Sequence, residues 1–574
     1  MVPQPQFNLI DEDWIDVEYS DGTKRKVSLQ KAFEDASDIR RIVPEFSQGI
    51  ILILRFMLAV LYRCYQREGI KHGETKHVWG KIWKTGHFDV SVIGSYLQRV
   101  HDRFYLIGGD KPFMQEAGLS YQGKNSDDVD DIGRIVIDLP DNDNKFLFSL
   151  RSKGSVESLS CPEAAVWLLA IQAYDCAGIK TPLAGSTTAR SGREYAPKGQ
   201  ISTGALGLCG GIYLERANLF ETLMMNWVMY VESGEVPFLA LVGDAPVWER
   251  EAISSMDRRR LTGPADLFTF TSRRVRLIPS DDGNAVTGVV IGYGAQPDPN
   301  DMARFETMTL WRLASKKQGE SLGIPEGTRV PKTHDPKKAL WRGLASVLPF
   351  PNSEASGQAR AGVLTWVNEL MMNDDDEEDD DFSDSFLPQI VAIHAQGMTY
   401  GTQNSVYEDS VDEQLDLNKA LVRRDDVSAL SVVLDVLKRI ENCVNELANS
   451  VTRVHGLARN KTTLNRYEAF SASIRAEAYY ALDALCRNYL RTIADDNAEA
   501  LETQWRDEAH RLLIRLAEHY FQGTGGSWIA KRKVGGSEIA VGDLYVKLLG
   551  YFANEEFGLG KLTDFQSTDA TKED

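Results

Sequence analysis

Two His-Asp dipeptides are the residues best suited to chemistry in this sequence. His101-Asp102 and His334-Asp335 each place an imidazole beside a carboxylate, and these are ligand types found in metal-dependent phosphohydrolases. Such a centre needs several more ligands, whereas the 9 histidines of the chain are mostly isolated. We therefore interpret His334-Asp335-Pro336 as a loop turn and His101-Asp102 as a helix end, and we predict no catalytic residue.

Other catalytic and cofactor motifs are missing or incomplete. The sequence contains no glycine-rich phosphate loop, no H-E-x-x-H and no G-x-S-x-G. Gly292-Tyr293-Gly294 lacks the third glycine of a dinucleotide fingerprint and is followed by Pro297, so it reads as a turn. The 6 cysteines are scattered singly without a C-x-x-C pair. We expect reduced core cysteines, no bound metal and no cofactor.

Charge and hydropathy narrow the class of protein further. The formal net charge is -19, which argues against a free-standing nucleic-acid binder. Eight acids form one run at 374–381, however, so about -11 remains for the rest, and clustered basic residues can still contact phosphate. The run, about 373–382, predicts a solvated insertion, and calcium binding is the less favoured alternative. The longest apolar stretch, 50–62, contains Arg55 and is too short to span a membrane, and no secretory signal is visible, so we expect a cytoplasmic protein.

The C-terminal third has the clearest element pattern. Apolar residues recur at spacings of three and four within 430–454, 467–489 and 501–520, and a fourth helix is expected from about 537 to 552. A basic, hairpin-like segment at 531–536 precedes the last helix. Short connections between long amphipathic helices predict an antiparallel four-helix bundle over residues 411–574.

Residues 1–410 show a mixed pattern. Short β-branched segments at 134–139 and 286–291 stand among helical ones such as 162–174, without regular β-α alternation. The sequence therefore predicts an α+β fold in which a large, irregular mixed N-terminal domain with long loops precedes the bundle.

Four stretches, in order, resemble one protein family. They are Phe7 to Val17 followed by Val27-Ser28-Leu29, Asp102 to Gln115 ending in Pro-Phe-Met-Gln, Gln172 to Lys180, and Arg329 to Pro336. Together they resemble CasA, the large subunit of the type I-E CRISPR Cascade surveillance complex. Taken singly, Trp14, Phe104 and Phe113 are better explained by core packing, and it is their joint order that indicates the family. Some relatives carry a cysteine cluster that resembles a metal site in the middle of the first domain. This chain lacks that cluster, so we predict no zinc.

The resemblance implies a function in antiviral defence. In this family a guide RNA reads the target by base pairing, while the large subunit recognises a protospacer-adjacent motif in double-stranded DNA and helps open the duplex. The implied partners are the other Cascade subunits, the 5′ end of the guide RNA, double-stranded target DNA and a helicase-nuclease.

The resemblance also implies which residues make the contacts. The segment at 144–159 resembles a loop that meets the guide RNA, with Phe148, Arg151 and Lys153 as contacts, although an ordinary surface loop has the same composition. The segment at 199–204 corresponds to a glycine-rich loop, and the segment at 401–405 resembles a glutamine wedge. The predicted DNA-binding residues are Gln403, Thr402, Asn404, Lys316, Lys317, Gly199, Gln200, Ser202, Thr203 and Gly204.

Other readings of the same residues remain open. Arg258 to Arg260 and Lys531 to Lys533 are further candidates for phosphate contacts, and a solvated charged face explains them as well. A plain helix-entry loop is the alternative for Gln403. At the level of function, the alternatives are a cytosolic scaffold whose bundle binds partner proteins and a metal-dependent phosphohydrolase.

Overall fold

The structure is a computed structural model. It describes residues 6–125, 128–139, 156–199, 201–230, 236–348, 360–371, 386–422, 427–458, 467–494, 497–523, 529, 531–534 and 537–554. The helices of these residues are α1 Leu29–Glu34, α2 Gly49–Cys64, α3 His72–Thr85, α4 Val90–Val100, α5 Cys161–Tyr174, α6 Leu219–Asn226, α7 Pro264–Phe268, α8 Pro299–Phe305, α9 Lys316–Leu322, α10 Gly362–Met371, α11 Lys419–Val422, α12 Val427–Ala458, α13 Glu468–Thr492, α14 Ala498–Gln522 and α15 Val541–Asn554.

The strands are mostly short and form several small sheets. They are β1 Phe7–Asn8, β2 Ile15–Tyr19, β3 Lys24–Val27, β4 Ile39–Ile42, β5 Tyr105–Ile107, β6 Asp130–Asp131, β7 Leu159–Ser160, β8 Gly211–Glu215, β9 Arg258–Arg259, β10 Arg273–Pro279, β11 Ala285–Tyr293, β12 Gln296–Pro297, β13 Leu310–Leu313, β14 Arg329–Lys332, β15 Ile390–Tyr400, β16 Tyr407–Asn418, β17 Arg532–Val534 and β18 Ser537–Ile539. The orders are β3-β2-β4, β1-β5, β10-β11 with β6 and β7 on β11, β12-β9, β13-β14, β16-β15-β8 and β17-β18. The predicted mixture of helices and irregular sheets is confirmed.

The chain divides into two compact units. The first comprises Met1–Leu340, Ser346–Phe386 and Val391–Gln414, and the second comprises Trp341–Ala345, Leu387–Ile390 and Leu415–Asp574. The expected boundary between residues 410 and 411 falls inside β16, so the last strand of the first unit runs on into the second. The acidic run at 373–382 lies outside the described residues.

Helix α2 is the centre of the first unit. Nearly all of its residues are buried, and it packs against α4, α5, α6 and α7. The one buried charge of this helix, Arg55, forms a bidentate ion pair with Glu306 at 2.7 and 2.8 Å and lies over the ring of Phe268. The pairing explains how an arginine is accommodated in an otherwise apolar helix, because a buried charge requires an opposite charge and hydrogen bonds. No helix in the described part of the chain is long and apolar enough to cross a membrane.

The aromatic residues of the first two family-like stretches form one buried cluster. Trp14, Phe104 and Phe113 are at most 1% exposed. The ring of Phe56 from α2 contacts all three, at centroid distances from 5.6 to 6.1 Å, and Trp248 closes the cluster. These residues are therefore core residues that position the N-terminal strands on α2.

The second unit contains the long helices of the C-terminal third. Helix α12 packs against α13, α14 and α15, and each of its predicted seam positions is buried. The expected fourth helix begins later than predicted, at Val541, because Ser537–Ile539 forms β18 against β17. The hairpin-like reading of this segment is thus confirmed. The strand predicted at 134–139 is wrong, since Ile132–Ile135 forms a 3₁₀ turn.

Candidate nucleic-acid interface

The segment that follows α5 connects two of the predicted DNA-binding loops. Helix α5 begins with a capping box between Ser160 and Glu163 and ends at Tyr174, after which Asp175 is extended. The carbonyl of Tyr174 accepts a hydrogen bond from Tyr400 in β15 at 2.7 Å, and the carbonyl of Asp175 accepts one from the Gly204 amide at 2.8 Å. The end of this helix is therefore shared between a β-hairpin and the glycine-rich loop.

Gln403 lies at the tip of the β15-β16 hairpin. Gln403 and Asn404 both have left-handed backbone, with φ of 58° and 54°. The amide of Gly401 donates to the Val406 carbonyl and the Asn404 amide donates to Gly401, each at 3.0 Å, which closes the turn. Thr402 and Gln403 are exposed. The helix-entry alternative is wrong, because the residue projects from a strand-to-strand turn.

The hairpin tip is fixed to the segment after α5. The Ala177 amide donates to the Asn404 carbonyl at 2.7 Å. A Cβ at Gly178 would stand 3.4 Å from the Ser405 carbonyl oxygen, so the two backbones pass in contact. Consequently, backbone hydrogen bonds within the hairpin and to the segment after α5 hold the left-handed turn, while the Gln403 side chain stays exposed.

The glycine-rich loop turns its second half into the core. Thr203 is fully buried, and the Ser202 carbonyl accepts a hydrogen bond from Arg273 at 3.0 Å. A Cβ at Gly204 would lie 2.3 Å from the Ala173 carbonyl carbon, so the contact requires glycine. Thr203 and Gly204 thus position the loop instead of presenting atoms at a surface. Gln200 lies outside the described residues.

A buried charge cluster lies beneath both loops. The Asp175 carboxylate is paired with the Lys180 ammonium at 2.5 Å and with the Arg273 guanidinium, and all three side chains are at most 1% exposed. Arg134 approaches the same carboxylate at 3.9 Å. Both Lys180 and Arg273 lie over the Tyr293 ring, whose hydroxyl donates to the Gly178 carbonyl. One carboxylate therefore faces three cations.

The pKa values in the cluster follow from burial and from this imbalance. Burial alone raises the pKa of Asp175, but the charges of Lys180, Arg273 and Arg134 outweigh it and hold the pKa well below the ordinary value. Burial, together with the two neighbouring guanidinium groups, lowers the pKa of Lys180 to about 8 against the opposing effect of Asp175. The carboxylate is thus ionised at neutral pH.

Arg258 connects the glycine-rich loop to the helix that carries the predicted lysines. Its guanidinium donates to the Gly199 carbonyl at 2.7 Å and to the Leu322 carbonyl at the end of α9 at 2.6 Å. Lys316 and Lys317 occupy the first turn of α9 and are exposed. Within the described part of the chain neither lysine forms an ion pair. Both are accessible to a phosphate.

The other basic candidates divide into paired and exposed residues. Arg259 makes a bidentate ion pair with the buried Asp266, and Arg260 makes one with Asp301. Arg259 is thereby held mostly inside the fold, whereas the paired Arg260 side chain is 79% exposed. Phosphate contact by these arginines stays a prediction. Lys531 is exposed, and the side chains of residues 532 and 533 are not described.

The remaining candidates lie elsewhere. Phe148, Arg151 and Lys153 are outside the described residues. His101 forms a short 3₁₀ turn after α4 and bonds Asp11 at 2.7 Å, whereas His334 lies in a loop and bonds the Gly211 carbonyl at 2.9 Å. Among the described residues no group of three or more His, Cys, Asp or Glu side chains is arranged to hold a metal.

Sequence reasoning missed Arg273 and the structural role of Arg258. Arg273 is separated from Asp175 by 98 positions, and nothing local in the sequence marks the pair. The only available signal was the stretch 172–180, in which a carboxylate and a lysine occur in an otherwise apolar context. Because Asp175 and Lys180 can pair with each other, the stretch did not indicate a further cation.

Three comparisons bear on identity. Residues 8–516 match the family model described as CRISPR-associated protein Cse1. A curated CasA/Cse1 protein of Thermus thermophilus is 28% identical over 350 residues, which are 60% of this chain and 60% of that relative. The crystal structure of Thermobifida fusca Cse1 is 28% identical and has a TM-score of 0.79, covering 97% of this chain and 99% of the other. A chain of a CRISPR RNA-guided surveillance complex has the same fold at 14% identity, with a TM-score of 0.63 and coverage of 91% and 99%. On the family match over most of its length, the chain belongs to the CRISPR-associated Cse1 family, also named CasA.

Proposed function

We propose that this chain is the large, non-catalytic subunit of an RNA-guided type I-E Cascade complex that acts in the cytoplasm. It recognises the protospacer-adjacent motif in double-stranded DNA, starts duplex opening and helps recruit the helicase-nuclease. Its other partners are the remaining Cascade subunits and the 5′ end of the guide RNA, for which Phe148, Arg151 and Lys153 are the proposed contacts. The four long helices of the second unit are proposed to form an antiparallel bundle.

The hydrogen bonds that link three segments support the proposal independently of family membership. The hairpin tip and the glycine-rich loop are both bonded to the segment after α5, and Arg258 bonds that loop to α9. Three segments that are distant in sequence, at 199–204, 316–322 and 401–405, are thereby held as one connected group. A DNA reader needs such fixed spacing, because bases and phosphates recur at fixed intervals.

Within this group, Gln403 is the proposed wedge. Its amide is uncharged and carries both donor and acceptor, so it can satisfy the edges of a parted base pair. Entry from the minor groove distinguishes mainly A·T from G·C, which allows several related motifs to be accepted. Parting one base step costs a few kcal/mol, which the wedge needs only partly to offset before guide pairing continues.

The other predicted contacts have distinct parts in this proposal. Thr402 and Asn404 flank the wedge, and Lys316 and Lys317 supply exposed charges for the DNA backbone or base edges. Gly199, Gln200 and Ser202 bring backbone close to the groove. We assign Thr203 and Gly204 to loop positioning, because both are packed against the end of α5.

The two alternatives receive less support. A phosphohydrolase requires a metal centre, whereas each His-Asp dipeptide is bonded within the fold by other groups. A scaffold would not require the three segments to be tied together or Gln403 to be held in a left-handed turn.

Co-purification from the native host tests the proposal. A tagged chain is expected to recover a short guide RNA and several partner subunits, and the assembled complex is expected to bind duplex DNA according to the motif beside the target. Recovery of the chain alone, or binding that ignores the motif, would contradict it.

A further inference from the structure

A short β-arm lies between the hairpin tip and the glycine-rich loop. Lys180 and Glu194 form an antiparallel backbone pair with N–H to O distances of 2.9 and 3.0 Å. Arg190 and Arg193 form a second pair across the two-residue turn Ser191-Gly192, in which both residues have positive φ. We call residues 179–198 the arm.

The arm has two different faces. Side chains alternate along paired strands, so Ile179, Tyr195 and Arg193 lie on the face opposite the Lys180-Glu194 pair. Burial agrees with this alternation, because Lys180 and Glu194 are buried while Ile179 is 53% and Tyr195 is 47% exposed. Arg193 is exposed as well. The outer face thus combines an aromatic ring, an aliphatic side chain and a cation.

The outer face of the arm carries unbalanced positive charge. Arg190, Arg193 and Lys198 are exposed, and in the described part of the chain none of them takes part in an ion pair. Glu194, the one acid of the arm, accepts hydrogen bonds from Ser186 and Thr188 on the inner face. Such an uncompensated basic surface is unusual in a chain with a net charge of -19.

The arm begins next to the proposed wedge. Ile179 directly follows Gly178, whose backbone contacts Ser405, and the other end of the arm leads into Gly199. Three steps between successive Cα atoms, each up to 3.8 Å, and one crossing of about 5.5 Å between paired strands separate Gly178 from Arg193. The two residues therefore lie within about 17 Å of each other. At the spacing of one strand within duplex DNA, this reach corresponds to about five nucleotides.

We propose that the outer face of the arm binds a single DNA strand beside the hairpin tip. Tyr195, backed by Ile179, stacks on an unpaired base, and Arg190, Arg193 and Lys198 contact its phosphates. Aromatic rings combined with basic residues are the usual way in which single strands are held without sequence readout. The inference rests on the proposed function, since it takes the unpaired strand to be produced at Gln403.

Salt-dependent binding by the guide-loaded complex tests the arm. Its ligand is a target duplex with unpaired bases beside the motif. We expect the double substitution Arg190→Ala with Arg193→Ala to weaken binding and to reduce the slope of log affinity against log salt by about 1.4, as each lost phosphate contact on a single strand removes about 0.7. Tyr195→Ala should weaken binding about fivefold or more with an unchanged slope, and Tyr195→Phe should retain natural affinity.

The matched control changes two exposed cations outside the arm, Arg67→Ala with Lys81→Ala. Equal affinity and slope for the arm and control variants would overturn the inference while leaving the proposed function intact. Loss of guide RNA from arm variants, with natural DNA affinity per loaded complex, would overturn it in favour of an RNA contact. A natural complex that does not bind the duplex at all would overturn both proposals.

Discussion

The Asp175 carboxylate faces three cations in a region almost closed to water. Its neighbouring backbone groups also hold Asn404 and Gly204, so its environment and the two loops are one structure. Removing one partner from a buried ion pair leaves uncompensated charge and typically costs about 3–5 kcal/mol.

We therefore predict that Asp175→Asn lowers the free energy of unfolding by about 3–5 kcal/mol, because Lys180 and Arg273 lose their counter-charge. Chemical denaturation of the purified chain measures this loss. Asp110→Asn, at an exposed position, is the control and should have little effect. Equal stability of the two variants would show that the cluster is not a structural centre.

Lys180 gives a pH-dependent prediction. Its pKa is lowered to about 8 in the folded protein, from the ordinary value of 10.5. Between these values the unfolded chain binds more protons at this residue than the folded chain, so its contribution to stability increases with pH.

The natural protein should accordingly gain stability relative to Lys180→Met as the pH rises from about 8 to about 10. Denaturant midpoints of both proteins across this range measure the difference. A difference that stays constant with pH would contradict the lowered pKa.

At the scale of elements, the β15-β16 hairpin holds Gln403 in backbone that glutamine rarely adopts, with φ of 58°. Left-handed backbone costs a non-glycine residue about 1–2 kcal/mol, and such strain is often retained where a side chain is needed for function. Because of this strain, a substitution at Gln403 can raise the stability of the chain and still weaken its function, and the two effects can be measured separately.

Gln403→Gly is predicted to stabilise the chain by a few tenths to about 1 kcal/mol, since relief of the turn is partly offset by a more flexible unfolded state. The same variant should open DNA less well because it lacks the amide. Thermal unfolding and duplex binding measure the two effects. Asn404→Gly is the matched control, because asparagine already tolerates left-handed backbone. Destabilisation by Gln403→Gly would show that the turn is not strained.

In the second unit, Trp341 is buried against α13. Its indole donates to Asp483 at 2.8 Å, and its ring meets Tyr479 edge to face. Trp341→Ala should lower the free energy of unfolding by about 3–5 kcal/mol, measured by the helical circular dichroism signal during denaturation. Tyr480→Ala, at a position that is 86% exposed, should change little. Equal effects would contradict the packing of residues 341–345 on the second unit.

An element could be predicted from the sequence when the residues that determine it lie within that element. Helix α12 was evident because its apolar seam repeats within the helix itself. The 3₁₀ turn at Ile132–Ile135 was misread as a nearby strand because short apolar runs look alike in both structures. The hairpin at Gln403 was missed because its turn is fixed by contacts with Ala177 and Gly178, which are distant in sequence.

At the scale of the whole molecule, a chain with a net charge of -19 is compatible with DNA binding when its exposed cations are concentrated in a few places. In the first unit these places include α9, which the Arg258 side chain links to the glycine-rich loop, and the arm, which is continuous in sequence with that loop. Under the proposed function, opposing charge elsewhere would limit non-specific binding and leave the motif and the guide to determine where the complex stays on DNA.

The central claim is that Gln403 acts as a wedge at a paired duplex edge. The most direct measurement compares Gln403→Ala with the natural chain in the assembled complex, using one fully paired target and one already unpaired beside the motif. If Gln403 is the wedge, the variant should lose affinity on the paired target, and pre-opening should largely restore it. Equal affinity of the variant and the natural complex on the paired target, or an equal loss on both targets, would contradict the claim.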